Sequence, residues 1–236
     1  HRNTRRQRQM CIRDRDSIEQ EILSKYPNKK IIGIAPFAAH QGKNYPLDLM
    51  QKVIAYLQKD YIIYLFGGGN DNLKQLNIWE NVYDNVVDLS NKLNLGQQIN
   101  IINYLDLMIS MDSANGHLAA NYNIPVLTLW GMTHPFCGFT PFDQPQENSI
   151  TIDRNHFPYI PTSIFGNKIP KGYENAFRTI DPKIVSSEPT MIENGDSESK
   201  HGCFPNVSNY LKQTSKTSGE RSSCGGTRSS SCILFK

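Results

Sequence analysis

Residues 107–130 read LMISMDSANGHLAANYNIPVLTLW, and this stretch decides the fold class. The runs Leu107–Met111 and Val126–Trp130 are typical of strands that are buried on both faces. Between them, Ser113–Tyr122 is predicted to form a short helix that begins at a serine, a favoured N-cap residue. Strand, helix and strand in this order indicate two parallel strands joined by a helix that crosses over the sheet.

The same alternation extends towards the N-terminus. Three further apolar runs predict buried strands, and the stretches between them predict helices. The strands are Lys30–Ala35, Tyr61–Phe66 and Val86–Leu89, and the helices are Leu47–Lys59, Asp71 to about Tyr83, and Leu95–Leu105. The segment after Gly131 is interpreted as ordered loop ending in a short helix near Asn175–Ile180. We therefore predict an α/β fold, a parallel sheet with helices on both faces.

Ligands of open parallel sheets bind at the carboxyl ends of the strands. Five predicted loops follow those ends, and they hold nearly all the polar residues that could form a site. The loops are Pro36–Lys43, Gly67–Asp71, Ser90–Leu95, Asp112–His117 and Gly131–Pro135. We expect a ligand to bind where these loops meet.

The loop Asp112–His117 is the most specific of the five. Ser113 stands at a predicted helix start, where unpaired backbone N–H groups and the positive end of the helix dipole favour an anion. His117 lies one turn further on, within reach of the same anion. Alternatively, Asp112 and Ser113 only cap the helix while His117 packs on its flank, and the local sequence favours neither interpretation.

Three other loops carry weaker signals. Lys43 precedes a predicted helix and could pair with a phosphate, although a lone lysine is more often only solvated. Gly67–Asp71 matches neither G-x-G-x-x-G nor a P-loop. Its glycines still admit a close ligand and Asp71 could accept from ribose hydroxyls, but a tight turn capped by Asp71 explains it equally well. Thr133 and His134 could line the cleft, or could belong to a capped turn.

Charge and cysteine spacing exclude several classes of protein. The net charge is +3, but residues 1–15 hold six Arg and one Asp, and residues 201–236 hold five Lys or Arg and one Glu. These two ends carry net charges of +5 and +4, so residues 16–200 carry a net charge of −6. This acidic centre lacks the basic stripe of a nucleic-acid-binding domain, so no nucleic-acid partner is expected. No pair of cysteines has C-x-x-C spacing, and no apolar run predicts a transmembrane segment or a signal peptide.

Taken together, the loops resemble the C-terminal domain of glycosyltransferase family 9, the bacterial ADP-heptose:lipopolysaccharide heptosyltransferases. The resemblance runs from about residue 30 to residue 180. The matching positions are Lys43-x-aromatic-Pro46, a glycine turn after the second strand, Asp88-Leu89 with Leu95, Asp112-Ser113-x-x-x-His117-Leu118-Ala119-Ala120, Pro125, and Gly131-x-Thr133-x-Pro135. Two departures leave the donor open: Ala114 stands where many members have Gly, and Ala38 and Ala39 stand where hydroxyl residues often precede the lysine.

The resemblance implies the C-terminal half of a GT-B glycosyltransferase, a Rossmann-like domain of a lipopolysaccharide biosynthesis enzyme. It implies a nucleotide-sugar donor, with ADP-heptose as the expected one, and a lipid-linked glycan acceptor bound by the other half. The transfer would be inverting, without metal or cofactor. The catalytic base is expected in an N-terminal domain, for which the roughly thirty residues before the first strand leave no room. The implied location is cytoplasmic, with peripheral association at the inner face of the bacterial inner membrane as one option.

The resemblance also implies roles for seven residues around the donor. Lys43 would pair with the diphosphate, while Asp112, Ser113 and His117 would hold the phosphates and the sugar. The remaining expected contacts are Leu93 beside the base, Asp71 at the ribose and Thr133 at the cleft. The alternative function is a non-catalytic Rossmann-like module that binds a regulatory nucleotide with the same loops.

We predict four segments. Residues 1–15 resemble a translated sequencing adapter and are interpreted as an artefact or a disordered basic tail. Residues 16–28 are a linker or the remnant of an interdomain helix. Residues 29–185 form the nucleotide-sugar-binding domain, and residues 186–236 a mostly disordered tail.

Overall fold

The computed structural model of the chain describes residues 17–67, 70–90 and 92–194. The strands are β1 (Ile31–Ala35), β2 (Ile62–Leu65), β3 (Val86–Asp88), β4 (Leu107–Met111), β5 (Val126–Trp130) and β6 (Ser149–Thr151). The helices are α1 (Ser17–Ser24), α2 (Leu47–Leu57), α3 (Asn70–Val82), α4 (Leu95–Ile102), α5 (Ala114–Asn121) and α6 (Pro182–Asn194). Short 3₁₀ turns cover Gln41–Lys43, Pro135–Cys137, Gln146–Asn148 and Ala176–Thr179.

The strands form one sheet in the order β3-β2-β1-β4-β5-β6, and every neighbouring pair is parallel. Strands β1 to β5 are buried along their whole length, which explains why their sequences are apolar runs rather than alternating patterns. The strand order changes direction between β1 and β4. The loops after these two strands therefore lie side by side, at the position where open α/β sheets bind their ligands.

Helices cover both faces of the sheet, as predicted. On one face, the apolar side of α2 and the helices α3 and α6 pack on Ile32 and Ile34 of β1. On the other face, α1, α4 and α5 pack on Ile31 and Ala35 of the same strand. The α/β, Rossmann-like fold expected from the sequence is thus confirmed.

Helix α4 ends at Ile102, three residues earlier than predicted. Leu105, which lies beyond the end of the helix, is fully buried and packs on β1 opposite Gly33. A Cβ atom at Gly33 would lie 2.5 Å from Leu105 Cδ1, so a larger residue at this point of the strand would require the Leu105 side chain to move. The residue that follows, Asp106, anchors the turn because its Oδ2 accepts from the Ile31 N–H at 2.8 Å.

Strand β6 was not predicted, and interpreting its segment as loop was wrong. Its three residues are only partly buried and include one apolar side chain, so the sequence carries no strand signal there. The predicted short helix near residues 175–180 is the 3₁₀ turn Ala176–Thr179.

Helix α6 continues past residue 185, where we expected the ordered domain to end. It packs against α2, and Val185 is fully buried in that contact region. The predictions for residues 1–15 and for residues 195–236 lie outside the described residues. None of the described helices is long and apolar enough to cross a membrane.

Candidate functional site

Lys43 and Asp112 form an ion pair at the carboxyl edge of the sheet. Lys43 Nζ lies 2.8 Å from Asp112 Oδ2, and the two side chains are only 14% and 5% exposed. Lys43 ends the turn that follows β1, and Asp112 directly follows β4. The sequence predicted both residues as ligand contacts but did not predict that they contact each other.

The loop that carries Lys43 is tied to β4 and closed on itself. The Tyr45 N–H donates to Met111 Sδ at 3.4 Å, next to Asp112. The Asn44 side chain accepts from the Ala38 N–H at 2.6 Å, which closes the loop. These bonds fix where Lys43 leaves the main chain.

Ser113 does not cap helix α5 with its side chain. Within the described part of the chain, its hydroxyl makes no hydrogen bond to a backbone N–H of α5; it lies 3.1 Å from Ser110 Oγ instead. Ser110 Oγ in turn donates to the Met111 carbonyl at 2.7 Å. The capping alternative is therefore wrong for Ser113, whose side chain satisfies none of the first N–H groups of α5, the groups with which a helix start binds an anion. His117 lies half-buried in the same helix, four residues after Ser113.

Thr133 shares a small space with Lys43. A Cβ atom at Gly166 would lie 2.8 Å from Lys43 Cγ and 3.1 Å from Thr133 Cγ2, so both side chains flank the same glycine. Thr133 is fully buried, and among the described residues its Oγ1 has no hydrogen-bond partner. A buried hydroxyl without a partner costs about 1–3 kcal/mol, so this atom is a candidate for contact with a ligand.

Three glycines that sequence reasoning did not assign a role bring the loops together. The Met132 N–H donates to the Gly42 carbonyl oxygen at 2.8 Å. A Cβ atom at Gly131 would lie 2.2 Å from that same oxygen, and one at Gly42 would lie 2.4 Å from the Gly166 oxygen. The sequence does show glycines near two predicted site residues, Lys43 and Thr133, which is a sign of close backbone approach. It does not show that the loops that carry these glycines contact each other.

The remaining predicted contacts follow β2 and β3 in the chain. Leu93 is buried in the core on the face covered by α1, α4 and α5. Asp71 lies in the first turn of α3, and its side chain is outside the described part of the structure. The predicted roles of Leu93 at the base and Asp71 at the ribose stay predictions.

His134 belongs to a capped turn, one of the two alternatives considered for it. Its Nδ1 accepts from the Phe136 N–H at 3.2 Å, at the start of the turn Pro135–Cys137. Its ring lies 4.1 Å from the Phe136 ring, centroid to centroid. Burial, with a smaller contribution from the nearby charge of Arg154, lowers the pKa of His134. The neutral ring is the form that can accept the capping hydrogen bond.

We expect this histidine to make the protein less stable in mild acid. Because its pKa is lower in the folded state, the unfolded chain binds the proton more readily, and stability is lost as the pH falls below about 6.5. The His134→Asn variant, which can keep the cap but does not titrate, should lose less stability between pH 7.5 and pH 5. Urea unfolding at both pH values measures this difference. Equal losses in the two proteins would contradict the prediction.

No group of three or more His, Cys, Asp or Glu side chains is placed to hold a metal ion within the described ranges.

Glycosyltransferase family 9 (heptosyltransferase) is the family whose model matches this chain, over residues 4–166. The match covers more than half of the chain. It begins within the segment 1–15 that we interpreted as an artefact or tail, and it ends before residue 180. Among curated protein sequences, none matches the chain significantly.

Several solved structures share the fold. The E. coli ADP-heptose lipopolysaccharide heptosyltransferase II is 17% identical and aligns over 79% of this chain and 54% of its own, with a TM-score of 0.57. The family 9 glycosyl transferase from Veillonella parvula DSM 2008 is 20% identical over 77% and 53%, with a TM-score of 0.56. E. coli heptosyltransferase WaaC with ADP is 17% identical over 75% and 48%, with a TM-score of 0.51. The chain thus spans about half the length of these structures.

Because these identities are 20% or lower, the structural similarity establishes only that the chain has this fold. Family membership is established by the match to the family model. Its matched range contains both members of the buried Lys43–Asp112 pair, the start of α5 and the buried Thr133. The chain therefore belongs to glycosyltransferase family 9, the heptosyltransferase family.

Proposed function

We propose that this chain binds the nucleotide-sugar donor of a heptosyltransferase-like enzyme, with ADP-heptose as the first candidate. The acceptor would be a lipopolysaccharide or another cell-envelope glycan, bound outside this domain. The observation that carries the proposal is the buried Lys43–Asp112 pair beside the uncapped start of α5. The structural relatives support the choice of nucleotide, since one of them is E. coli heptosyltransferase WaaC with ADP.

The diphosphate of the donor would bind between Lys43 and the first turn of α5. The ammonium group and the free N–H groups would offset its charge and would stabilise the departing nucleoside diphosphate during transfer. We propose that these groups, with His117 and the Thr133 hydroxyl, act without a metal ion. A carboxylate repels phosphate, so Asp112 would hold Lys43 and accept hydrogen bonds from hydroxyl groups of the sugar.

The reaction we propose is a single displacement with inversion at the sugar carbon. The acceptor hydroxyl oxygen forms the new bond, its proton goes to a base outside this domain, and the bond to the diphosphate breaks. The nucleoside would extend from the diphosphate towards the segments that follow β2 and β3, which carry Asp71 and Leu93. The strand order supports this direction, because β2 and β3 lie beyond β1 on the side away from β4.

Calorimetric titration of the full chain with ADP tests the proposal. We expect Lys43→Gln to weaken ADP binding by about 1.5–3 kcal/mol, the usual contribution of a hydrogen bond to a charged group. The matched control is Lys59→Gln, because Lys59 is exposed and precedes β2, at the opposite edge of the sheet. Its affinity for ADP should equal that of the wild type.

Three other outcomes change the conclusion. Binding of UDP or GDP but not ADP would keep the glycosyltransferase and remove the heptose donor. Binding of ADP and ADP-heptose with equal affinity would favour a non-catalytic nucleotide-binding module, because the sugar would then contribute nothing. A folded chain that binds none of these nucleotides would contradict the proposed function.

A further inference from the structure

Residues 162–168, here called the Gly166 loop, form a closed turn next to Lys43. The Thr162 hydroxyl donates to the Lys168 carbonyl at 2.5 Å, and the Ser163 hydroxyl donates to Asn167 Oδ1 at 2.9 Å. The Asn167 N–H donates back to Ser163 Oγ at 3.2 Å. The tip residues of the loop, residues 164 and 165, are exposed by 57% and 61%. Internal hydrogen bonds, rather than burial of the tip, therefore give the loop its shape.

The main chain of Gly166 lies against the aliphatic part of Lys43. A Cβ atom at Gly166 would lie 2.8 Å from Lys43 Cγ and 3.3 Å from Lys43 Cε. Gly166 has a φ of +66°, a conformation that glycine adopts without strain. The main chain of Gly166 thus packs along the aliphatic stem of Lys43, and a side chain at position 166 would displace that stem.

The Gly166 loop is also joined to the loops after β5 and β1. The Thr162 N–H donates to the Met132 carbonyl at 2.9 Å, and the Met132 N–H donates to the Gly42 carbonyl at 2.8 Å. Gly42 directly precedes Lys43 in the chain. The Gly166 loop therefore holds Lys43 by its side-chain stem and also holds the residue before it by this series of backbone bonds.

We propose that the Gly166 loop is a positioning element for Lys43 and sets the affinity of the site for the diphosphate of the donor. The inference rests on the proposed function and deepens it. A lysine side chain has four rotatable bonds, and holding it in one conformation before the ligand arrives removes part of the entropy cost of binding. The Gly166 loop achieves this from outside the ion pair, and none of its residues has to touch the ligand.

The test compares two glycines that share a positive φ. Gly166→Ala adds a methyl group against Lys43, whereas a Cβ atom at Gly172, with a φ of +90°, meets nothing within 4 Å. In calorimetric titration of the full chain with ADP, we expect Gly166→Ala to weaken binding about tenfold, a typical coupling between residues in contact. Gly172→Ala should bind ADP as the wild type does.

A second variant keeps the test usable if Gly166→Ala does not fold. Ser163→Ala removes both hydrogen bonds between Ser163 and Asn167 and adds no atom, so it loosens the loop without a clash. We expect it to weaken ADP binding by about threefold, a smaller loss of the same kind. Circular dichroism and urea unfolding confirm that each variant is folded at the titration temperature.

A double-mutant cycle separates positioning from a general structural effect. In a Lys43→Gln background, Gly166→Ala should change ADP affinity by less than about twofold, because the charge that the loop positions is gone. Equal weakening in both backgrounds would overturn the inference, and so would wild-type affinity in both loop variants. A wild-type chain that binds no nucleotide would overturn the proposed function itself, which distinguishes the two failures.

Discussion

Replacing Lys43 with alanine is expected to lower the free energy of unfolding by about 3–5 kcal/mol, because the change leaves the Asp112 carboxylate buried without its counter-charge. That carboxylate is only 5% exposed, and Lys43 Nζ lies 2.8 Å away. Urea unfolding of the full chain measures the loss. Trp79 and Trp130 are fully buried and provide the fluorescence signal.

Two further variants make this result specific to burial. Lys92→Ala breaks a more exposed ion pair with Glu80 and should cost less than about 1 kcal/mol. Combining Lys43→Ala with Asp112→Ala should recover part of the loss, since the second change removes the unpaired charge. If Lys43→Ala cost no more than Lys92→Ala, the Lys43–Asp112 pair would have to be open to water.

Gly131→Ala is expected to destabilise the protein by about 3 kcal/mol, the upper end of the usual cost of overpacking, and to weaken ADP binding. The new Cβ atom would lie 2.2 Å from the Gly42 carbonyl oxygen and 2.7 Å from Phe177 Cε1. A main-chain oxygen cannot rotate away, so the loop that carries Lys43 must shift. Urea unfolding and ADP titration of the same variant measure the two effects.

Gly138→Ala is the control for this change. Gly138 has a φ of +80°, and a Cβ atom there meets nothing within 4 Å, so alanine adds backbone strain of about 1–2 kcal/mol without a collision. Its affinity for ADP should be unchanged. A Gly131→Ala variant that keeps both full ADP affinity and wild-type stability would show that the loops after β1 and β5 can move apart freely.

The fold could largely be predicted from the sequence because parallel strands that are buried on both faces have continuous apolar sequences. The runs in β1, β2, β4 and β5 are of this kind. Strand β6 could not be found in this way, since it lies at the sheet edge beside β5 and its residues are partly exposed. The end of α4 was misplaced because apolar residues continue through Leu105, and only the structure shows that Leu105 packs on Gly33, which is far away in the sequence.

The candidate site could be predicted in part. Lys43 and Asp112 stand out because each follows a predicted strand, but their contact depends on β1 and β4 being neighbours in the sheet, and chain order does not specify this. Thr133 and His134 are adjacent in the sequence and look alike as candidates. Only the structure separates them, because His134 caps a turn while Thr133 is buried beside Gly166 and Lys43.

The Lys43–Asp112 pair also affects how a ligand reaches the site. Two opposite charges 2.8 Å apart produce a field that weakens with distance more steeply than the field of a single lysine. Salt screens charges further over distances beyond about 8 Å at physiological ionic strength. An anion diffusing in solution is therefore drawn only weakly towards Lys43 until it is close to the loops. For the proposed diphosphate ligand, we therefore expect discrimination to arise from dissociation rates rather than from the rate of encounter.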